Sequence, residues 1–175
     1  MTATCVPVLI QQNINGSDFF NRSWAEFKVG FNDTDGNYWL GNDLLSQLTL
    51  SRRYKLRFDL QLRNLSWYYA EYSSFSVYEE SRNYELHVSV HWGNIGDAFS
   101  DHDGMMFTTY DRDNDQRTNR RYNNCAVYNG GGFWYRACGE CNVNTVRGRG
   151  YDFSWYTPRT RVVLYLQSSR MWLMC

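Results

Sequence analysis

Asp111, Asp113 and Asp115 alternate with Arg112 and Asn114 in one short run. Carboxylates at i, i+2 and i+4 on an irregular backbone converge readily on a hard cation, which takes six to eight oxygens. Without such an ion, two of them about 5 Å apart repel by about 3 kcal/mol at an effective dielectric near 20. The run is not an EF-hand loop, because Gln116 stands where the turn glycine is needed and Tyr122 where the bidentate glutamate is needed. The competing expectation is a solvated acidic turn neutralised by Arg112, Arg117, Arg120 and Arg121. Cysteines form the second cluster. A bridge from Cys125 to Cys138 would close a loop worth about 3 kcal/mol in the chain-entropy model. Cys138-Gly-Glu-Cys141 could instead be half of a zinc site, but Cys5, Cys175, His87, His91 and His102 offer no second close pair, so the bridge is favoured. His102, between Asp101 and Asp103, could act as a base, yet no nucleophile motif, P-loop or H-E-x-x-H accompanies it. The residues therefore argue against an enzyme.

Ordered elements must position these groups. Asp18 to Gly30 reads as a helix capped by Asp18, with Phe20, Trp24 and Phe27 on one face, and Asn42 caps a second carrying Leu44, Leu45 and Leu48. The period then changes to two. Tyr54, Leu56, Phe58, Leu60 and Leu62 alternate with polar residues, and Tyr69–Val77 and Tyr84–Trp92 read as further strands, with His87 and His91 on a polar face. Successive strands without helices between them predict an antiparallel sheet in an α+β fold. Residues 93–156 are rich in Gly, Asn, Asp and Arg, too long for a bare connection, and need an ion or a bridge to order them. One more strand is expected at 161–166.

Composition narrows the function classes. The 175 residues carry 18 basic and 18 acidic side chains, so no net charge draws a nucleic acid. Aromatic residues make up 18% of the chain, which argues for a packed core rather than disorder. No apolar run approaches a bilayer span, and the first residues lack the pattern of a secretory signal. Four sequons (Asn15-Gly-Ser17, Asn21-Arg-Ser23, Asn32-Asp-Thr34 and Asn64-Leu-Ser66) have meaning only in a secretory compartment.

The stretch from Val8 to Cys138 resembles the fibrinogen C-terminal domain of fibrinogens, ficolins, tachylectins, tenascins and angiopoietins. The resemblance rests on Asn15-Gly-Ser-Asp-Phe-Phe-Asn-Arg-Ser-Trp24, Tyr38-Trp-Leu-Gly-Asn42, Tyr84-Glu-Leu-His-Val88, Gly104-Met-Met-Phe-Thr108, Asp111–Asp115 and Gly131-Gly-Phe-Trp-Tyr135. It implies one domain over residues 1–175: helices and sheet at 8–92, a loop-rich calcium and ligand lobe at 93–160, and a closing strand at 161–175. It further implies Ca2+ held by the Asp113 and Asp115 side chains and the carbonyls of Arg117 and Asn119, although extra residues at Asn119–Asn123 disturb that register. A Cys125–Cys138 disulfide and a cis Ala137–Cys138 bond are implied beside a ligand pocket.

In that pocket the sequence departs from the family. Sugar-binding members read Cys-His where this chain reads Cys138-Gly139, and the loop to Trp155 is shorter. The pocket residues carried over are Cys138 (through its N–H), Gly139, Asn142, Asn144 and Tyr151, with Trp155 as a second aromatic wall. The family's N-terminal subdomain is absent, which would expose a strand edge through which copies could associate. Cys5 would be its remnant, while Cys141 and Cys175 could pair with each other or with a partner chain. The expected function is a secreted, calcium-stabilised, lectin-like domain that binds acetylated glycans in innate-immune recognition. The alternative is an extracellular protein-interaction or matrix module, and a third reading is a fragment that does not fold alone.

Overall fold

The first strand, β1 (Val8–Asn13), carries no period-two signature, and its pairing explains why. In the computed structural model, which describes residues 6–118 and 121–175, Leu9 faces Trp172 and Gln11 faces Met171, so Ile10 is an extra residue in a bulge. The bulge turns both Ile10 and Gln11 inward, at 1% and 0% exposure. The edge pair β2 (Phe31–Asn32) and β3 (Tyr38–Trp39) flanks β1. The expected alternation then appears as β4 (Tyr54–Leu62), β5 (Trp67–Val77) and β6 (Leu86–Gly93). Two short strands, β7 (Cys141–Asn142) and β8 (Ser154–Thr157), precede the long β9 (Val162–Met174). The sheet runs β2-β3-β1-β9-β4-β5-β6, antiparallel throughout, with β8 joining β9 and β7 joining β8.

Strand β9 thus lies inside the sheet, hydrogen-bonded to β1 on one side and β4 on the other. The strand expected at 161–166 from its residues is twice that length, it fills nearly all of the 161–175 span expected for a closing strand, and it is central. Its alternation is hidden by a bulge: Gln61 faces Ser168 but Leu62 faces Leu166, which shifts the inward set from Leu166 to Ser169, Met171 and Leu173. Tyr84 falls outside β6 because its φ is +52°.

The expected helix over 18–30 is two pieces, a 3-10 turn at Asp18–Phe20 and the helix α1 (Trp24–Val29). Ser23, not Asp18, caps α1. Its hydroxyl accepts from the Glu26 N–H while the Glu26 carboxylate accepts from the Ser23 N–H, a reciprocal capping box. Helix α2 (Asn42–Ser51) begins one residue after Gly41 without a side-chain cap, and α3 (Cys125–Asn129) is capped by Asn124.

One aromatic core joins the sheet to the 93–160 region. Phe58 meets Phe99 and Trp155 edge to face, at 5.0 and 5.1 Å between ring centroids. Trp134, fully buried, packs against Trp39, Phe75, Phe99 and Phe107 and donates its indole N–H to the Tyr84 carbonyl at 2.7 Å. Gly131 is required where this layer is tightest, since a Cβ there would sit 2.0 Å from the Asn144 carbonyl oxygen.

Candidate functional site

The three carboxylates of the acidic run do not converge. Asp111 turns back to α1, where its Oδ1 accepts from the Trp24 N–H at 2.9 Å and from the Thr109 hydroxyl at 2.7 Å. A carboxylate at the first turn of a helix is favoured there by the orphan N–H groups, so Asp111 is a helix anchor. Asp113 and Asp115 do lie together. Asp115 is half-buried, its Oδ1 accepting from the Arg117 N–H at 2.8 Å and its Oδ2 from the Cys125 N–H at 2.7 Å. Burial first, and then the Asp113 charge, push its carboxyl up to about 6, although both backbone donors pull the other way. Asp113 is exposed. Of the carbonyls expected beside them, that of Asn119 lies outside the described residues.

The Cys125 N–H bond to Asp115 couples the acidic loop to a disulfide, for Cys125 is bridged to Cys138 with Cα atoms 5.0 Å apart. Arg117 covers this bridge: its guanidinium donates to the Cys138 sulfur at 2.8 Å and stacks over the Tyr128 ring at 4.2 Å. The expected cis bond before Cys138 is absent, every described peptide bond being trans; Cys138 reverses the chain through a left-handed φ of +69° instead. Cys141 does not pair with Cys175. Cys141 is a free, fully buried thiol held well above its ordinary pKa by burial, and Cys175 belongs to a different disulfide. Cys5 lies outside the described residues.

Next to the bridge is a cleft of about 490 Å3. Tyr151, Tyr156, Val163 and Ala137 give it an apolar wall; Gly139, Asn142 and Ser154 line its polar side, with Asp101, Arg136 and Glu140. Pairing of β7 with β8 sets the floor by placing Asn142 opposite Ser154. The Asn142 amide donates to the Gly139 carbonyl at 2.6 Å and its Oδ1 accepts from Asn129, so the side chain braces the floor. Arg136 and Asp101 form an ion pair at 2.7 Å. Glu140 is the unsettled member. Burial, and after it the Asp101 carboxylate, raise its pKa, and among the described residues its Oε2 is enclosed without a hydrogen-bond partner.

Of the pocket residues expected from sequence, Gly139, Asn142 and Tyr151 line this cleft. Cys138 is fully buried behind it. Asn144 does not reach it: it is 1% exposed, donating to the Gly132 carbonyl at 2.9 Å and accepting from Gln11 at 3.0 Å. Trp155 is fully buried too, its indole N–H bound to the Gly96 carbonyl. His102 is no base. It is completely buried, its Nδ1 bound to the Trp134 carbonyl and its Nε2 accepting from the Cys141 N–H, and burial lowers its pKa. Asp101, Arg136, Glu140 and Tyr156 were not legible as pocket residues, because long-range folding alone brings 101 to 136.

The model of the C-terminal globular domain of fibrinogen beta and gamma chains matches residues 2–171. The chain belongs to the fibrinogen C-terminal domain family. Human angiopoietin-related protein 2 is 42% identical over 130 residues, 74% of this chain and 26% of that protein. Techylectin-5A of Tachypleus tridentatus is 38% identical over 130 residues, 74% of this chain and 43% of its own length. The chain therefore spans between a quarter and a half of these relatives. The fibrinogen-like globe domain of human ANGPTL2 superposes with a TM-score of 0.83 at 36% identity, covering 95% of this chain and 79% of that one. A lamprey fibrin D-dimer complexed with the peptide Gly-His-Arg-Pro-amide gives 0.77 at 28% identity, covering 94% and 60%. The α+β fibrinogen C-terminal fold expected from the resemblance is the fold observed. Among the described residues no helix is long and apolar enough to cross a membrane.

Proposed function

We propose that this fibrinogen C-terminal domain is a secreted recognition module, stabilised by calcium, whose cleft binds acetylated glycans without chemical turnover. The observation that carries the reading is the cleft itself. An apolar wall of Tyr151, Tyr156 and Val163 suits a methyl group and a pyranose face, and the carboxylates of Asp101 and Glu140 suit sugar hydroxyls. Calcium is proposed for the Asp113–Asp115 pair because the residues fit it: two adjacent carboxylates, one of them half-buried and driven toward its neutral form, are what a divalent ion relieves. Asp113, Asp115 and the Arg117 carbonyl would hold the ion. Its contribution would be to fix the loop that carries Cys125, and through the bridge the cleft margin at Cys138.

A second reading, a protein-interaction module, draws on the ionic side of the cleft. Asp101, Arg136 and Glu140 also suit a peptide with a charged end, and the peptide named with the lamprey fibrin structure is of that type. Titration calorimetry with N-acetylglucosamine, glucosamine and a Gly-His-Arg-Pro peptide separates the two. Acetyl-dependent sugar binding that Tyr151→Ala weakens at least tenfold supports the glycan reading. Peptide binding with no response to any acetylated sugar overturns it in favour of the second.

A further inference from the structure

Two of the four sequons are built into surface turns in one particular way. Asn15 follows β1 and Asn64 stands at the tip of the β4–β5 hairpin, and both are exposed. In each, the asparagine Oδ1 accepts a hydrogen bond from the backbone N–H of the serine two residues on: Ser17 to Asn15 and Ser66 to Asn64, both at 3.0 Å. Only oxygen can accept from those donors, so the amide orientation is fixed by the turn. Among the described residues both Nδ2 atoms are thereby left without a partner, and so are the Ser17 and Ser66 hydroxyls. The other two sequons differ. The Ser23 hydroxyl is committed to the capping box with Glu26, and in Asn32-Asp33-Thr34 it is the Asp33 side chain that organises the turn, accepting from the N–H groups of residues 35 to 37. Neither Asn21 nor Asn32 has its Oδ1 held by its own sequon.

We propose that Asn15 and Asn64 are attachment sites for N-linked glycans. The donor would be a lipid-diphosphate-linked oligosaccharide of the secretory pathway. A bond forms between Nδ2 and the anomeric carbon of the first N-acetylglucosamine, the bond from that carbon to the diphosphate breaks, the lipid diphosphate leaves, and one amide proton passes to the enzyme's base. The folded chain accommodates both products, because each Nδ2 stands at an exposed turn and loses no hydrogen bond on substitution. At Asn64 the glycan would also cover a hairpin tip carrying Leu65, which is 65% exposed. The proposal is independent of what the cleft binds and shares with the proposed function only the secretory route.

The test is to express the full chain behind a cleavable secretion signal in a eukaryotic cell line and to measure intact mass before and after peptide-N-glycosidase. Two glycans are expected, one removed by Asn15→Gln and one by Asn64→Gln, with glycopeptide mapping placing them. Ser17→Ala and Ser66→Ala delete the sequons while keeping the asparagines, and they give the same losses if a glutamine variant fails to be secreted. A secreted chain whose mass the glycosidase leaves unchanged, or one carrying glycans at Asn21 or Asn32 alone, overturns the proposal.

Discussion

The side-chain amide of Gln11 donates to Asn144 Oδ1 at 3.0 Å, joining the first strand to the loop-rich lobe across 133 positions of sequence. The same nitrogen lies 3.2 Å from the Val143 carbonyl and 3.0 Å from the Ser169 hydroxyl, and Asn13 adds a bond to Val143 at 3.0 Å. The lobe is therefore pinned to the sheet by buried polar contacts as well as by its aromatic core. Loss of the Gln11 donor would orphan Asn144 Oδ1, whereas the Val143 carbonyl would keep its bond from Asn13.

Gln11→Leu preserves volume and removes the donor. With two buried acceptors left unsatisfied, a loss of about 2–4 kcal/mol is expected in urea unfolding. A loss below about 0.5 kcal/mol would mean that the lobe does not depend on this contact.

The acidic pair gives a pH signature. Asp115 titrates above its unfolded value of 3.8, so the stability it contributes is complete below that value and is lost as pH rises through about 6. Without calcium, Asp113→Asn should flatten this loss and raise the Tm at pH 7 by about 1–3 °C. With calcium at about 10⁻³ M the order should reverse, the native chain melting higher and Asp113→Asn failing to respond. Calorimetry at pH 4.5 and 7, in chelator and in calcium, checks both halves. Equal calcium responses of the two proteins would remove Asp113 from the site.

Gly139 is the position where this chain departs most plainly from the sugar-binding pattern. A Cβ added there would meet only Asp101 Oδ2, at 4.0 Å, so a side chain has room in the cleft. Gly139→His is expected to fold with a Tm within about 2 °C of the native chain and to change the order of affinities among acetylated and free amino sugars. A collapse of the Tm would show that the cleft cannot take the larger residue.

Cys141 should be silent to thiol reagents. Its sulfur is fully buried and its pKa is raised by burial, so little thiolate exists and none is reachable. Labelling with iodoacetamide should go to completion in denaturant and remain below about a tenth in buffer over the same time. Rapid native labelling would reveal an opening of the β7–β8 ladder.

Legibility from sequence followed whether one face meets water. In β4, Leu56, Phe58 and Leu60 are buried while Lys55 and Arg57 reach solvent, and alternation declares the strand. In β1 and β9 it is broken by bulges at Ile10 and near Gln167, so alternation signals no strand at β1 and only the first half of β9, whose full length comes from the family resemblance. The start of α1 is misplaced by the sequence reading: the aromatic spacing from Phe20 points to a cap at Asp18, whereas the signal that decides it is the capping box Ser23-Trp-Ala-Glu26. At the site, Gly139, Asn142 and Tyr151 came from family resemblance. Asn144 looked like a ligand contact because burial is invisible in sequence, and Asp101 and Arg136 were missed because nothing local ties positions 35 residues apart.

The placement of β9 between β1 and β4 sets the order of events during biosynthesis. A ribosome delivers β1 and β4 long before the segment that must lie between them, so the nascent chain holds two strands with their inner edges unsatisfied for most of its synthesis. Productive assembly waits until that segment has emerged, and the pairing it completes is of high sequence separation and intrinsically slow. A chain ending before β9 would leave the facing edges of β1 and β4 without their shared partner.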